Sequence, residues 1–279
     1  MTQPQFSLAY LTVLNTPPPE MTYMASRAGY DFVSLRPIYM GLPGEPNFSL
    51  AKNKVLLRDT KTALKDTGLQ LLDIELARIA DGIDPSQYEP EMEVAAELGG
   101  RHVLSSIWTD NKAEAIEKFA KLCDLAAQYG LTVELEYVPI ASVSNLAGVM
   151  DVLNTVNKAN AGLMIDIHHF HRAHDTVEDL KKVPKEWFRF LHLCDAPGVI
   201  PSDRDEMVRI VREARSYVGE GGIDVASIIN SIPQVPYSIE LPNKRQSELL
   251  GYEEFARRCL VTAKEYFAKH PRQEKVNSY

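Results

Sequence analysis

Short apolar runs alternate with longer amphipathic stretches along the whole chain. Residues 6–13, 31–37, 69–75, 102–106, 131–137, 162–167, 188–194 and 237–241 read as eight strands. Helical patterns lie between them, near residues 18–29, 48–67, 87–99, 111–129, 145–158, 175–182, 223–231 and 251–269. The clearest covers 112–129, where Ala115, Phe119, Leu122, Ala126 and Ala127 fall near helical spacing. Gly130 stops it, as Gly68 stops the helix before the third strand. Strand–helix alternation implies a parallel sheet with helical crossovers. Eight such units favour a closed (β/α)8 TIM barrel over an open doubly wound sheet, and no GxGxxG follows the first strand. The fold class is therefore α/β. The 279 residues suit one barrel, typically ~250 residues long, so we expect a single domain over 1–279 with a polar tail from 271 to 279. The least regular stretch, 196–215, reads as a loop inserted over the mouth of the barrel, where it would act as a lid.

Four of these strands end in ionisable residues. The fifth reads LTVELEYVP and ends at Glu136; the sixth, GLMIDIHHFHR, ends at Asp166; the seventh, FRFLHLCDAP, carries His192; the eighth, YSIELPN, ends at Glu240. Each is an ionisable group in an apolar strand, and burying it without a partner or a metal would be costly. Side chains alternate along a strand, so Val133 and Leu135 should face the helices while Glu134 and Glu136 face the axis. Met164 shares a face with Asp166, and Leu191 and Leu193 lie opposite His192. Two Glu, one Asp and one His would then converge from adjacent strands. Three oxygens and one nitrogen suit one divalent cation, Mn²⁺, Mg²⁺, Co²⁺ or Zn²⁺, with positions left for substrate oxygens. Glu134 belongs lower in the barrel, in an internal ion pair.

Composition narrows the remaining classes. Thirty basic and thirty-eight acidic side chains give a formal charge of −8, a field that repels nucleic-acid backbones. Three cysteines without CxxC spacing argue against a disulfide scaffold and for a reducing, cytoplasmic setting. The opening MTQPQFSLAY lacks the basic-then-apolar pattern of a secretory leader, and no apolar run approaches the ~20 residues of a membrane span. A small molecule is the expected partner, with no nucleic acid and no membrane.

The ordered motifs resemble the sugar phosphate isomerase/epimerase family, the xylose isomerase-like barrels that also include endonuclease IV. The opening FSLAYLTVLNTPPPEMTYMASRAGYDFVSLRP resembles the family's first strand, helix and second strand. GLTVELEYVP, GLMIDIHHFHR, LHLCDAP, VGEGGID and SIELPN follow in the family's order. The resemblance implies that Glu136, Asp166, His192 and Glu240 hold the metal, Mn²⁺ being the leading candidate, and that His169 contacts substrate. It implies isomerisation or epimerisation of a sugar, sugar phosphate or keto-polyol through a metal-stabilised enediolate. Glu136 and Glu240 would serve as base and acid. It also admits a lyase of the 3-dehydroshikimate or inosose dehydratase kind, in which the same intermediate expels a hydroxyl. An endonuclease IV-like phosphodiesterase fits less well, because that relative uses three metals and further histidines and acids. A non-catalytic sugar-binding barrel stays open, as does association into a homo-oligomer.

Several further residues carry expectations. Arg36, after the second strand, and Arg215, before VGEGGID, suit a carboxylate, phosphate or hydroxyl of the substrate, or else a mouth salt bridge. Glu75 shares a face with Asp73 and would bond a substrate hydroxyl, or pair with Arg36 or Arg78. His168 would orient a ligand, whereas His171 and His174 read as solvated. Gly219, Gly221 and Gly222 suggest either a phosphate cradle or, more simply, a turn before the next helix. Asp195 would lock the His192 ring or meet substrate, and Trp108 would line a sugar face or pack a loop. The helix 253–270, with Phe255, Leu260, Val261, Ala263, Tyr266 and Phe267, should dock on the barrel.

Overall fold

A computed structural model describes residues 3–42 and 44–272, so the expected polar tail lies outside the described residues from 273 onward. Eight strands form a closed parallel barrel in sequence order: β1 (Phe6–Ala9), β2 (Phe32–Leu35), β3 (Gln70–Ile79), β4 (His102–Ile107), β5 (Thr132–Glu136), β6 (Ala161–Asp166), β7 (Leu191–Leu193) and β8 (Tyr237–Ile239). Closure comes from β8 pairing with β1, Phe6 opposite Tyr237. Around it run α1 (Pro18–Ala28), α2 (Lys54–Thr67), α3 (Glu89–Glu97), α4 (Lys112–Gln128), α5 (Leu146–Val156), α6 (Ile167–Arg172), α7 (Val177–Leu180), α8 (Arg204–Glu213), α9 (Val225–Ser231) and α10 (Lys244–Lys269). Among the described residues no helix is long and apolar enough to cross a membrane.

Local chemistry explains most boundaries. Asn53, Asn111, Asn145 and Asp224 each accept a backbone N–H from the first turn of the helix they precede. Gly68 ends α2 in the left-handed region at φ 70°, and Gly130 sits just beyond α4 at the same φ. The outer core lies between strands and helices, with Phe119, Leu122 and Ala126 of α4 fully buried. A separate cluster of Phe32, Leu72, Leu104, Met164 and Phe190 fills the barrel interior, and the Phe190 ring lies 6.0 Å from that of His192. Phe255, Leu260, Ala263 and Phe267 of α10 are buried, as its docking face required, while Val261 turns outward. Cys123, Cys194 and Cys259 are all buried free thiols.

Four departures from the sequence reading have local causes. The segment 196–215 is not a loop throughout: it contains α8, started by Asp203 accepting the Glu206 N–H, with Ile210 its one buried residue. Residues 168–172, left unassigned, and Ile167, expected to end the sixth strand, form α6, with Asp166 as its N-cap. The last helix begins earlier, at Lys244, and is broken at Gly251 (φ 71°, ψ 156°). Finally β3 runs to Ile79, four residues past its expected end, across a register shift between Ile74 and Ala77. That extra residue places Arg78 opposite Ser106, which in turn pairs with Glu136.

Candidate metal and substrate site

The C-terminal ends of β5 to β8 bring four predicted side chains together. Asp166 and His192 are register partners at the ends of β6 and β7; Glu136 ends β5, and Glu240 follows β8. All four are buried, and one ligand atom from each lies within 4.8 Å of all the others. His192 Nδ1 is 3.6 Å from Glu136 Oε1, 3.8 Å from Asp166 Oδ2 and 3.4 Å from Glu240 Oε2. Atoms bound ~2.0–2.2 Å from one cation sit about 3–4.4 Å apart, so this spacing suits a shared ion. Glu136 Oε1 and both ring nitrogens of His192 lack hydrogen-bond partners among the described residues. Buried polar atoms without partners are costly, and a metal would satisfy these. By geometry and donor chemistry the residues fit a divalent cation.

The charges around this cluster are strongly coupled. Burial alone would raise the Asp166 carboxyl, but Arg215, His169 and His192 hold it well below the usual carboxylate range. Glu240 is likewise lowered despite its burial, by His192 and Arg215. Burial opposes protonation of His192, yet Glu240 and Glu136 raise its pKa well above an ordinary imidazole's. The same excess of negative charge is what a dication would balance. His168 goes the other way: burial, with Arg215 and His169 nearby, pushes it down to about 2. It therefore stays a neutral ring beside His169, their Nδ1 atoms 3.3 Å apart.

Asp166 is fixed from two sides. One oxygen caps α6 through the His169 N–H (3.1 Å), and the other takes an Arg215 N–H at 2.6 Å. Arg215 also donates to the Glu240 carbonyl and the Val211 carbonyl, and lies 3.1 Å from Glu240 Oε2. Expected as a substrate anchor, it is first a clamp joining two of the four cluster residues. His169 Nε2 lies 3.8 Å from Glu136. Glu75 pairs with Arg36 (3.5 Å) and not with Arg78, which stacks on Trp108 at 4.2 Å. Burial pushes Glu75 up to about 7 against the pull of Arg36. Glu134 takes its expected place lower in the barrel, between Arg189 (3.2 Å) and His102 (3.1 Å).

The expectation for Asp195 is corrected, and for the glycines the simpler of two alternatives holds. Asp195 neither locks His192 nor faces substrate: its carboxylate accepts the N–H groups of Ala196, Gly219, Gly221 and Ile223. The glycine loop is therefore a turn wrapped on an internal anion, and the phosphate-cradle reading falls with it. A Cβ at Gly221 would stand 2.2 Å from Asp195 Oδ1, so this close approach requires glycine. The Trp108 indole N–H donates to Ser106 Oγ. His174 is exposed, as expected, whereas His171 lies in α6, half-buried beside Arg172, and is not the solvated loop histidine expected. The sequence reading missed Arg78 as a mouth residue, because it ended β3 at Glu75; the continued run LARIA, apolar but for Arg78, was the available signal.

Comparison with known proteins places the fold. The model of the xylose isomerase-like TIM barrel family matches residues 23–259. An inosose isomerase of Bacillus licheniformis is 28% identical over 163 residues, 54% of this chain and 56% of that protein. The chain thus spans about half the length of this inosose isomerase and of the one from Bacillus subtilis. An L-ribulose 3-epimerase of Methylomonas sp. is 23% identical over 232 residues, 76% of this chain and 73% of the relative. Among solved structures, the IolI protein with a bound zinc atom superposes with a TM-score of 0.78 at 20% identity, covering 95% of this chain and 99% of that one.

Proposed function

The chain belongs to the xylose isomerase-like TIM barrel family, and on that premise we propose that it is a divalent-metal-dependent isomerase or epimerase of a small sugar, sugar phosphate or keto-polyol. The observation that carries the reading is the four-residue cluster with a glutamate on each flank, Glu136 on β5 and Glu240 after β8. The inosose isomerase and L-ribulose 3-epimerase relatives support the same class of reaction.

Glu136, Asp166, His192 and Glu240 would hold the cation, with Mn²⁺ the first to test and Mg²⁺, Co²⁺ or Zn²⁺ suited by the same donors. When bound, it supplies positive charge against the oxyanion that develops beside the reacting carbon. The chain's own residues do the rest. Glu136 and Glu240 approach a bound substrate from two sides, one removing the proton next to the carbonyl and the other returning it. Arg215 holds Asp166 and Glu240 in register, which fixes one of the two proton-transfer groups. His169, at the first turn of α6, and Arg215 contact the oxygens nearest the reacting carbon; Glu75 and Arg36 contact the part of the substrate farther out. The apolar layer of Phe190 and Met164 beneath His192 keeps water from the floor of the site. With buried thiols and no spanning helix among the described residues, we place this enzyme in the cytoplasm.

Incubation with a panel of ketoses and inososes in D₂O tests the reading. An isomerase or epimerase incorporates one solvent deuterium at carbon next to the carbonyl and yields product of otherwise unchanged mass, and Glu136→Gln abolishes the exchange. Product lighter by one water would instead assign a dehydratase. Turnover without solvent deuterium would contradict proton transfer altogether.

A further inference from the structure

The four-residue cluster occupies the β5–β8 side of the mouth; the β2–β3 side is built differently. Arg36 follows β2 and is 9% exposed at its side chain, its guanidinium stacked 4.9 Å from the Tyr10 ring. Arg78, carried into the row of Ser106 and Glu136 by the extra residue in β3, stacks on Trp108. The Nε of each is buried without a hydrogen-bond partner. Among the described residues Arg78 has no carboxylate within 4.0 Å, and Arg36 has only Glu75 at 3.5 Å, itself pushed up to about 7. Burial lowers the Arg78 pKa, and the charges of Arg36 and Arg212 lower it further, with Tyr88 and Glu45 offsetting part of the effect.

Two guanidinium groups with unpartnered Nε atoms thus stand at the ends of adjacent strands, at the mouth of a protein whose formal charge is −8. Half-buried cations that repel each other destabilise the fold unless an anion joins them. Aromatic stacking holds two of the planes while leaving their N–H edges available to oxygen acceptors. A guanidinium fork matches a carboxylate or a phosphate equally well. We propose that Arg36 and Arg78 form an anion subsite, and that the substrate carries a carboxylate or phosphate at the end remote from the carbon where the proton moves. The assignment rests on the isomerase reading for the reaction, but the anion subsite is testable without turnover.

Calorimetric titration of the protein as purified, at low ionic strength, with inorganic phosphate and separately with acetate provides the test. Wild type binds one of the two saturably, and the tighter one identifies the substituent. Arg78→Gln weakens that binding at least ~10-fold, the scale of losing a charge-assisted hydrogen bond. Arg78→Lys recovers part of the affinity. Arg36→Gln, with its fold checked by circular dichroism, weakens it to a similar degree. Saturable binding of neither anion by wild type, or binding by folded Arg78→Gln and Arg36→Gln as tight as wild type's, would overturn the proposal. Failure of the deuterium-exchange experiment would leave this binding intact. Failure of this binding would leave a neutral sugar at the same catalytic site.

Discussion

Replacing Asp195 with asparagine should cost more stability than its position beside a surface loop suggests. The carboxylate is 2% exposed and accepts four backbone N–H groups: Oδ1 takes Ala196 (2.7 Å) and Ile223 (3.1 Å), and Oδ2 takes Gly219 and Gly221 (3.1 Å each). Asparagine keeps the shape but turns one oxygen into a donor, so in either orientation two N–H groups face an NH₂. The favourable orientation points the NH₂ toward Gly219 and Gly221, which are exposed and can turn to water. Two charge-assisted bonds at about 1.5–3 kcal/mol each are lost, and relaxation of the glycine loop returns part of that. We expect a net loss of about 3 kcal/mol, a fall in Tm of about 5–10 °C. Thermal melts should compare it with Asp224→Asn, which touches only the exposed cap of α9 and should cost a few tenths of a kcal/mol. Because Asp195 and Ser216 also exchange backbone hydrogen bonds next to Arg215, turnover should fall with stability. A Tm within about 1 °C of wild type would refute the reasoning that this carboxylate organises the loop.

Other expected outcomes follow from buried charges. Asp73 is fully buried, and burial raises its carboxyl to about 6 although Ser34 donates a hydrogen bond to it. A carboxyl whose folded pKa exceeds its unfolded value binds its proton more tightly in the native state. Its contribution is therefore fully present below about pH 4 and is lost as pH rises through 6. The stability of Asp73→Asn relative to wild type should rise by about 2–3 kcal/mol between pH 4 and pH 8, read from urea denaturation at each pH; a constant difference would remove Asp73 from the account. Arg215→Gln leaves Asp166 and Glu240 buried without their shared cation. It should destabilise the protein by about 3–5 kcal/mol in denaturant titrations, and a loss below 1 kcal/mol would show that the clamp is dispensable.

The barrel was legible because its signals are repetitive: eight apolar runs, helices of three turns or more between most of them, and glycines such as Gly68 and Gly130 where helices stop. The cluster was legible for a related reason, since an ionisable residue at an apolar strand end has few bland explanations once four occur on consecutive strands. What escaped lacked sustained periodicity. The α6 turn is six residues with four of them polar, so it presents no apolar stripe; in α8 Met207, Ile210 and Val211 do fall at helical spacing, but they are flanked by charged residues and only Ile210 is buried. Asp195 was misread because its partners are backbone N–H groups up to 28 residues away, which side-chain types do not advertise. Arg78 depended on one extra residue in β3, which alters the inward-facing row without changing composition.

Metal content of the purified protein, measured by plasma mass spectrometry for wild type and for Glu240→Gln, tests the central claim most directly. The account predicts one Mn, Mg, Co or Zn ion per chain in wild type, and its loss or marked weakening in the variant, with the fold intact by circular dichroism. A wild-type protein that takes up no metal even from excess Mn²⁺, or a variant that retains it undiminished, would contradict the assignment of Glu136, Asp166, His192 and Glu240 as one cation site.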